Sequence, residues 1–204
     1  PWKNLDTWEL LEPGSCRAFA VADHQLAHVY VRDPKDVEPV RVLLEKTAGI
    51  ERVFTTETRG EIGLDHARSG ELIALAAPGH WFTYYFWLDD ALAPDFARSV
   101  EIHKKPGYDP CELFLDPKKF AVKARIAGKI AGKVLGFRYV MDVIPLDPTL
   151  VKGSHGRAPE SPEDGAVLIS SSKAGERESF PATAIQGLLL ERLGLGSAPG
   201  EAQG

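Results

Sequence analysis

Histidine is the residue type with the most chemistry to offer in this sequence, because neutral imidazole binds zinc and related metals. The chain has six, at positions 24, 28, 66, 80, 103 and 155. His155 lies in a Gly-Ser-His-Gly turn, whose glycines let the backbone bend sharply and approach a ligand. A strand and a helix are predicted after it, and open α/β folds place their chemistry at the end of a sheet. His155 is therefore either a metal ligand or an ordinary loop residue.

A second grouping is "ADHQLAH", which holds Asp23, His24 and His28. An Asp-His pair directly after a predicted strand could supply ligands to a divalent metal. The connection is short, however. The alternative is that His24 and His28 only line a surface or contact each other.

A third grouping is "HKKPGYDP", which brings His103, Lys104 and Asp109 into one irregular loop. Lysine and histidine side chains can hold a phosphate or a carboxylate, although a solvated loop would look the same. Asp65 and His66 lie in a predicted turn before a strand, which favours a structural role for them.

Composition and missing motifs exclude several classes of protein. Hydrophobic residues make up 44% and charged residues 26% of the chain, as is typical of a globular domain, and the net charge of -5 argues against a nucleic-acid polymer as partner. The two cysteines give no disulfide framework, and no apolar run is long enough to span a bilayer. The sequence has no nucleophile elbow, Walker loop or GxGxxG.

The first predicted elements belong to a small α/β layer over residues 18–80. Apolar runs predict strands at 18–22 and 28–31, and helical spacing of apolar residues predicts a helix within 36–50. Two more strands are predicted, in "ERVFTTE" and "GELIALAAPG". Strands and a helix in this order suggest that the helix packs on one face of the sheet.

An aromatic-rich irregular insertion is predicted over residues 81–117. It opens with six aromatic residues between Trp81 and Trp87 and then contains four prolines without a sustained period. The aromatic run either forms core or a domain seam, or it is the wall of a substrate pocket.

The rest of the chain is predicted to be a helix and a closing strand-helix pair, over residues 118–196. Residues 118–137 form a basic helix that either binds an anionic surface or is solvated. "GAVLISSS" is predicted to be a buried strand, and "PATAIQGLLLERLGLG" a helix. Residues 197–204 are predicted to be a disordered tail.

Taken in order, these segments resemble the C-terminal half of the type I phosphodiesterase/nucleotide pyrophosphatase family, within the alkaline phosphatase superfamily. The resemblance covers residues 19–195. It is carried by "HVYV" with the following helix and "ERVFTTE", by "HARSGELIALAAPGHWF", by "KGSHGRAPESPEDGAVLIS" and by "FPATAIQGLLLERLGL". The shared order of these motifs makes the resemblance specific.

The resemblance implies that residues 1–196 are the C-terminal part of an alkaline-phosphatase-like three-layer α/β/α core. It also implies two divalent metal ions, with zinc expected, and a Thr or Ser nucleophile that forms a covalent phospho-enzyme. Two adjacent metals stabilise the attacking and leaving oxygens of an in-line displacement. The substrate would be a small phosphodiester, pyrophosphate or phosphomonoester.

Only the last ligand of the family, the histidine of the Gly-x-His-Gly turn, corresponds to a residue here, His155. The family's Asp-His pair is normally followed by glycine, whereas glutamine follows here. The true pair and the nucleophile are therefore expected upstream of this sequence. Asp23, His24 and His28 are expected to approach the centre without binding metal, or from the substrate side.

The resemblance further implies that this portion alone is inactive and that the missing N-terminal part of the same protein is its partner. His103, Lys104 and Asp109 are expected on the substrate side. The alternatives are a phosphonate hydrolase, sulfatase or phosphomutase of the same superfamily, a non-catalytic module that binds an anion or a partner, and a purely structural domain. The sequence predicts no membrane segment and leaves the compartment open, with a slight preference for the cytoplasm.

Overall fold

The computed structural model describes residues 2–5, 8–101, 103–107, 109–171, 179 and 181–196. The chain divides into two compact units, residues 1–158 and 159–204. Within the described ranges, antiparallel strands and three α-helices make it a mixed α/β protein. None of the helices in these described ranges is long and apolar enough to cross a membrane.

The first unit begins with a two-stranded antiparallel hairpin of β1 (Trp2–Leu5) and β2 (Trp8–Leu11). The sequence did not predict this hairpin, because each strand is only four residues long and carries charged or amide side chains among its apolar ones. Such short stretches show little of the alternation that marks a strand.

The main sheet has four strands, and it confirms the four strands predicted for residues 18–80. They are β3 (Ala18–Asp23), β4 (Leu26–Val31), β5 (Ile50–Phe54) and β6 (Leu72–Ala76). The spatial order is β3-β4-β6-β5, and every pair is antiparallel. Strand β3 therefore lies at one edge of the sheet, and a two-residue turn joins it to β4.

Helix α1 (Val37–Glu45) covers one face of this sheet, as predicted. Its residues Val37, Val40 and Leu44 pack against the buried side chains of Val29 and Leu72. Successive side chains of a strand point to opposite faces, so the register places Asp23 and His28 on the face away from this helix.

A second hydrophobic core forms around the aromatic run. Tyr84 and Trp87 are buried with Ala93, Ala97 and Leu146. This confirms that the aromatic run contributes to a core. The described residues between 81 and 117 contain no strand or α-helix, only short 3-10 turns, in agreement with the predicted irregular insertion.

Helix α2 (Val122–Val134) confirms the predicted basic helix, although no residue in it is buried. Arg125 and Lys129 form ion pairs with Asp142, so part of the basic side faces the protein. The apolar side chains of Ala124 and Ile130 on this helix are exposed to solvent.

In the second unit, helix α3 (Ile185–Arg192) confirms the predicted closing helix. The predicted buried strand "GAVLISSS" is wrong over residues 165–171, which are irregular and almost entirely exposed. A strand needs a neighbour that accepts and donates its backbone hydrogen bonds, and no described strand pairs with this segment. The final residue of that prediction, Ser172, and the predicted tail lie outside the described residues.

Candidate metal centre

The turn between β3 and β4 presents the first two candidate ligands. Asp23 ends β3, and His24 occupies the first position of the two-residue turn. His24 has a φ of 55°, a left-handed conformation that few residues with a side-chain Cβ adopt. Its side chain is nevertheless buried, with 5% of the residue exposed. The hairpin thus holds one imidazole firmly beside one carboxylate.

The Gly-Ser-His-Gly turn brings the third candidate to the same place. The backbone N–H of Gln25 donates a hydrogen bond of 2.9 Å to the carbonyl oxygen of His155. Gly156 has a φ of 104°, and a Cβ added to it would lie 3.1 Å from the carbonyl oxygen of Asp23. Glycine is therefore required for this close approach of the turn to the hairpin.

Arg157 fixes the same turn from its other end. Its guanidinium donates a hydrogen bond of 3.3 Å to the carbonyl oxygen of Ala76, at the end of β6, and it pairs with the carboxylate of Glu51 in β5. The residues around His155 are thus attached to three strands of the sheet. A ligand held in this way loses little conformational freedom when a metal binds.

Asp23, His24 and His155 form a compact group of ligand atoms. One nitrogen or oxygen atom from each residue lies within 4.8 Å of the others. The rings of His24 and His155 are stacked with their centroids 4.0 Å apart, and Asp23 Oδ1 lies 3.9 Å from His155 Nε2. The side chains of Asp23 and His155 are each 65% exposed, so an ion can reach them from solvent.

The environment of His24 favours the protonation state that a metal needs. Burial lowers the pKa of His24, and the neighbouring His155 lowers it further, while Asp23 opposes both effects. At neutral pH the His24 imidazole is therefore neutral, which is the form of histidine that binds a metal. Two imidazoles and one carboxylate are a common set of ligands for zinc.

A family model for type I phosphodiesterase/nucleotide pyrophosphatase matches residues 3–109, just over half of the chain. The chain belongs to this family. Its members are phosphoric ester hydrolases and are typically metal-dependent, so the chain is of hydrolase type and the donor chemistry of the three residues fits the family. No curated protein and no solved structure matches the chain.

The match to the phosphodiesterase family includes Asp23 and His24 and ends before His155. The third donor thus comes from a part of the chain that the family model does not cover. Sequence reasoning singled out His155 from its turn. It missed the contributions of Gln25 and Arg157, because their hydrogen bonds reach residues that are distant in the chain.

His28 does not belong to the group of three. Its Nδ1 accepts a hydrogen bond of 3.2 Å from the backbone N–H of Gly70. Burial is the main reason that the pKa of His28 is lowered. This ring therefore holds the segment before β6 against the sheet, and its position within the centre stays a prediction.

The "HKKPGYDP" loop divides into an exposed and a buried part. His103 and Lys104 are exposed, whereas Asp109 is buried and pairs with Lys105 at 3.0 Å. A Cβ added to Gly107 would lie 3.4 Å from the carbonyl oxygen of Ala22, so the loop passes the end of β3. Asp109 has a structural partner, while His103 and Lys104 are open to solvent. Tyr108 lies outside the described residues.

Proposed function

We propose that this chain is part of a metal-dependent hydrolase of phosphate esters and that Asp23, His24 and His155 bind one divalent cation, with zinc expected. The observation that supports the proposal most strongly is the convergence of the three side chains, since 130 residues separate His24 from His155 in the sequence and their rings stack at 4.0 Å in the fold. The family match supplies the reaction class.

Direct ligation by Asp23 and His24 accounts for the geometry better than the indirect role predicted from the sequence. A carboxylate and two imidazoles within 4.8 Å of one another offer three donors to one ion. The glutamine that follows His24, where the family's pair normally has glycine, donates its backbone N–H to His155. Glycine would offer the same backbone N–H, so the departure from the family's motif does not affect this contact.

The proposed chemistry is that of a metal with an open coordination position. Three protein ligands leave room for a phosphate oxygen, and the bound metal would act there as a Lewis acid that stabilises charge on that oxygen. Asp23 and His155, as the exposed members, face the substrate, while buried His24 orients the group. The Thr or Ser nucleophile and the ligands of a second metal are proposed to come from residues outside this sequence.

The exposed part of the "HKKPGYDP" loop supports a role on the substrate side. The loop passes the end of β3, where Asp23 lies, and carries His103 and Lys104 with their side chains free to reach a ligand. We propose that they attract the phosphate group, since an ammonium group binds phosphate as a point charge. The buried hydrogen bond between Lys105 and Asp109 holds the loop in position.

The test is zinc binding by the chain, measured by isothermal titration calorimetry. His155→Ala is expected to lower the affinity for zinc by on the order of 100-fold or more, because removing even a residue that only supports a ligand costs about 10- to 100-fold. His66→Ala is the matched control, because His66 is exposed and lies outside the group of three. Equal zinc affinity in His155→Ala and the unaltered chain would contradict the proposal. In the complete enzyme, the same substitution should also lower turnover of phosphate esters.

A further inference from the structure

A cavity of about 350 Å³ lies against one face of the edge strand β3. Ala18, Ala20 and Ala22 form one wall, and residues of the aromatic run, including Phe82 and Tyr85, form the other. The volume falls within the range of small-molecule sites. A cavity of roughly 150 Å³ is large enough for benzene, so this one can admit a bicyclic aromatic group.

The cavity exists because β3 has alanine at every second position. All three alanines lie on the same face of the sheet as α1. The register shows this, because Ala18 pairs with Val31, Ala20 with Val29 and Ala22 with Ala27. Larger side chains there would fill the space that the aromatic residues leave. The alternate positions of the strand, on the other face, carry Phe19, Val21 and Asp23.

The chemistry of the wall is apolar. Among the described residues that line the cavity, none is charged, and the polar side-chain groups are the hydroxyls of Thr83, Tyr84 and Tyr85 and the thiol of Cys16. The backbone N–H of Tyr85 donates to the hydroxyl oxygen of Thr83, so this hydroxyl is already in use. A charged or highly hydroxylated ligand would lose its hydration here without replacement, whereas a flat apolar group would lose nothing.

The cavity and the candidate metal centre share the hairpin turn at the end of β3. Ala22 lines the cavity, and the side chain of the next residue, Asp23, points to the opposite face of the strand. The backbone N–H of Phe82, which also lines the cavity, donates a hydrogen bond of 2.6 Å to the carbonyl oxygen of His24. Because β3 is an edge strand, a substituent on a molecule in the cavity would reach Asp23, His24 and His155 by passing around the end of this strand.

We propose that the cavity binds the apolar organic group of a phosphate ester, such as an aryl group, while its phosphoryl group lies at the metal centre. The second half of this statement rests on the proposed function. The first half does not, because an apolar cavity binds an aryl group with or without a metal.

The experiment separates the two halves. Binding of 1-naphthol to the metal-free chain is measured by fluorescence, and zinc binding is measured independently by calorimetry. Ala20→Leu is expected to weaken 1-naphthol binding at least about tenfold, since a leucine adds several methylene-sized groups to the cavity wall and occupies space that the ligand would use. Val21→Leu is the matched control, because Val21 follows in the same strand and points to the opposite face. Zinc affinity should be the same in both variants.

A second measurement requires no substitution. Cys16 lines the cavity and Cys111 does not, and both are buried cysteines. Bound 1-naphthol is expected to slow alkylation of Cys16 by iodoacetamide while leaving Cys111 unchanged, as followed by mass spectrometry. Equal labelling of Cys16 with and without 1-naphthol would overturn the cavity as the binding site.

The zinc-loaded chain then tests the substrate class. 1-Naphthyl phosphate is expected to bind at least about tenfold more tightly than methyl phosphate, the increment that corresponds to about 1.4 kcal/mol. Equal affinities would overturn the assignment of an aryl ester. Binding of 1-naphthol without any binding of zinc would instead contradict the proposed function and leave the cavity site standing.

Discussion

His24 is the residue whose conformation points most directly to function. A histidine in the left-handed region lowers the stability of the fold. Asparagine or glycine would largely avoid this cost in a two-residue turn. Such local strain persists where the surrounding structure imposes it, and it concentrates at binding sites. Here the strain places a buried imidazole against His155.

This conformation gives a prediction for His24→Asn. Asparagine adopts the left-handed region more readily, so the gain in backbone free energy, about 1 kcal/mol, should offset much of the lost packing of the ring. Without zinc, we expect the free energy of unfolding of the variant, measured in urea, to lie within about 1 kcal/mol of that of the unaltered chain. With saturating zinc, the unaltered chain should gain stability and the variant should not. A variant that gained as much from zinc would show that His24 is not a ligand.

Gly156 gives a second prediction at this scale. Gly156→Ala places a Cβ 3.1 Å from the carbonyl oxygen of Asp23 in a backbone conformation of φ 104° that alanine rarely adopts. We expect zinc affinity to fall at least about tenfold, because the turn must move away from the hairpin. Gly153→Ala is the matched control, since no atom lies within 4 Å of its added Cβ. Equal loss in both variants would indicate general unfolding of the turn rather than a local clash.

At the scale of elements, the "HKKPGYDP" loop is held by a buried cation. Lys105 Nζ lies 3.0 Å from Asp109 and 2.6 Å from Glu112, and the lysine side chain is fully buried. Asp109 also accepts a hydrogen bond from the backbone N–H of Cys111, at the start of a 3-10 turn. The side chains of Lys105 and Asp109 therefore stabilise the conformation of the loop itself.

Adjacent lysines allow a matched test of this cluster. Lys105→Met leaves the carboxylates of Asp109 and Glu112 buried without their cation, which typically costs 3–5 kcal/mol. Lys104→Met removes an exposed charge and should change the free energy of unfolding by less than about 0.5 kcal/mol. Urea unfolding followed by circular dichroism checks both values. A Lys105→Met chain as stable as Lys104→Met would show that the buried charges carry no net cost.

Some secondary-structure elements were predictable from the sequence and others were not. Strands β3, β4 and β6 and helix α1 were predictable because their apolar residues follow the period of a structure that packs against a neighbour. The apolar run at residues 165–171 has the same local pattern and no partner strand among the described residues, so the same reasoning failed there. Pairing depends on the rest of the molecule, which a local pattern does not describe.

In the candidate site, too, local features were predictable from the sequence and long-range contacts were not. The glycines that flank His155 are a local signal, and they identified it as a candidate ligand. Its neighbours were not predictable, because the contact with His24 depends on the route of the intervening 130 residues. Sequence reasoning accordingly placed the partners of His155 upstream of this chain, whereas the fold brings Asp23 and His24 to it.

At the scale of the whole first unit, the metal centre joins its beginning to its end. Asp23 and His24 lie in the first hairpin of the main sheet, and His155 lies close to the boundary of the unit at residue 158. Contacts between such distant residues close a long loop, and their entropic cost is met only when most of the chain between them is ordered. The three ligands should therefore come together late in folding.

Late assembly predicts a kinetic effect of zinc. A ligand that binds only the native arrangement stabilises that arrangement. When the stabilised contact is absent from the transition state for folding, the added stability lowers the unfolding rate and leaves the folding rate unchanged. Zinc should slow unfolding in urea while leaving the folding rate nearly unchanged, as measured by stopped-flow fluorescence of the tryptophans. The His155→Ala chain should show neither effect. Faster folding in zinc, with unfolding unaltered, would mean that the centre forms early.

The hydrogen bond from Phe82 to the carbonyl oxygen of His24 has a thermodynamic consequence. It makes one residue both a proposed metal donor, through its ring, and a support of the cavity wall, through its backbone. Linkage between two such sites is reciprocal by necessity. Whatever factor zinc adds to the affinity of the cavity for an aryl group, that group must add to the affinity of the centre for zinc. Under the proposed function, a substrate that fills the cavity would thus help to retain the ion on which its own hydrolysis depends.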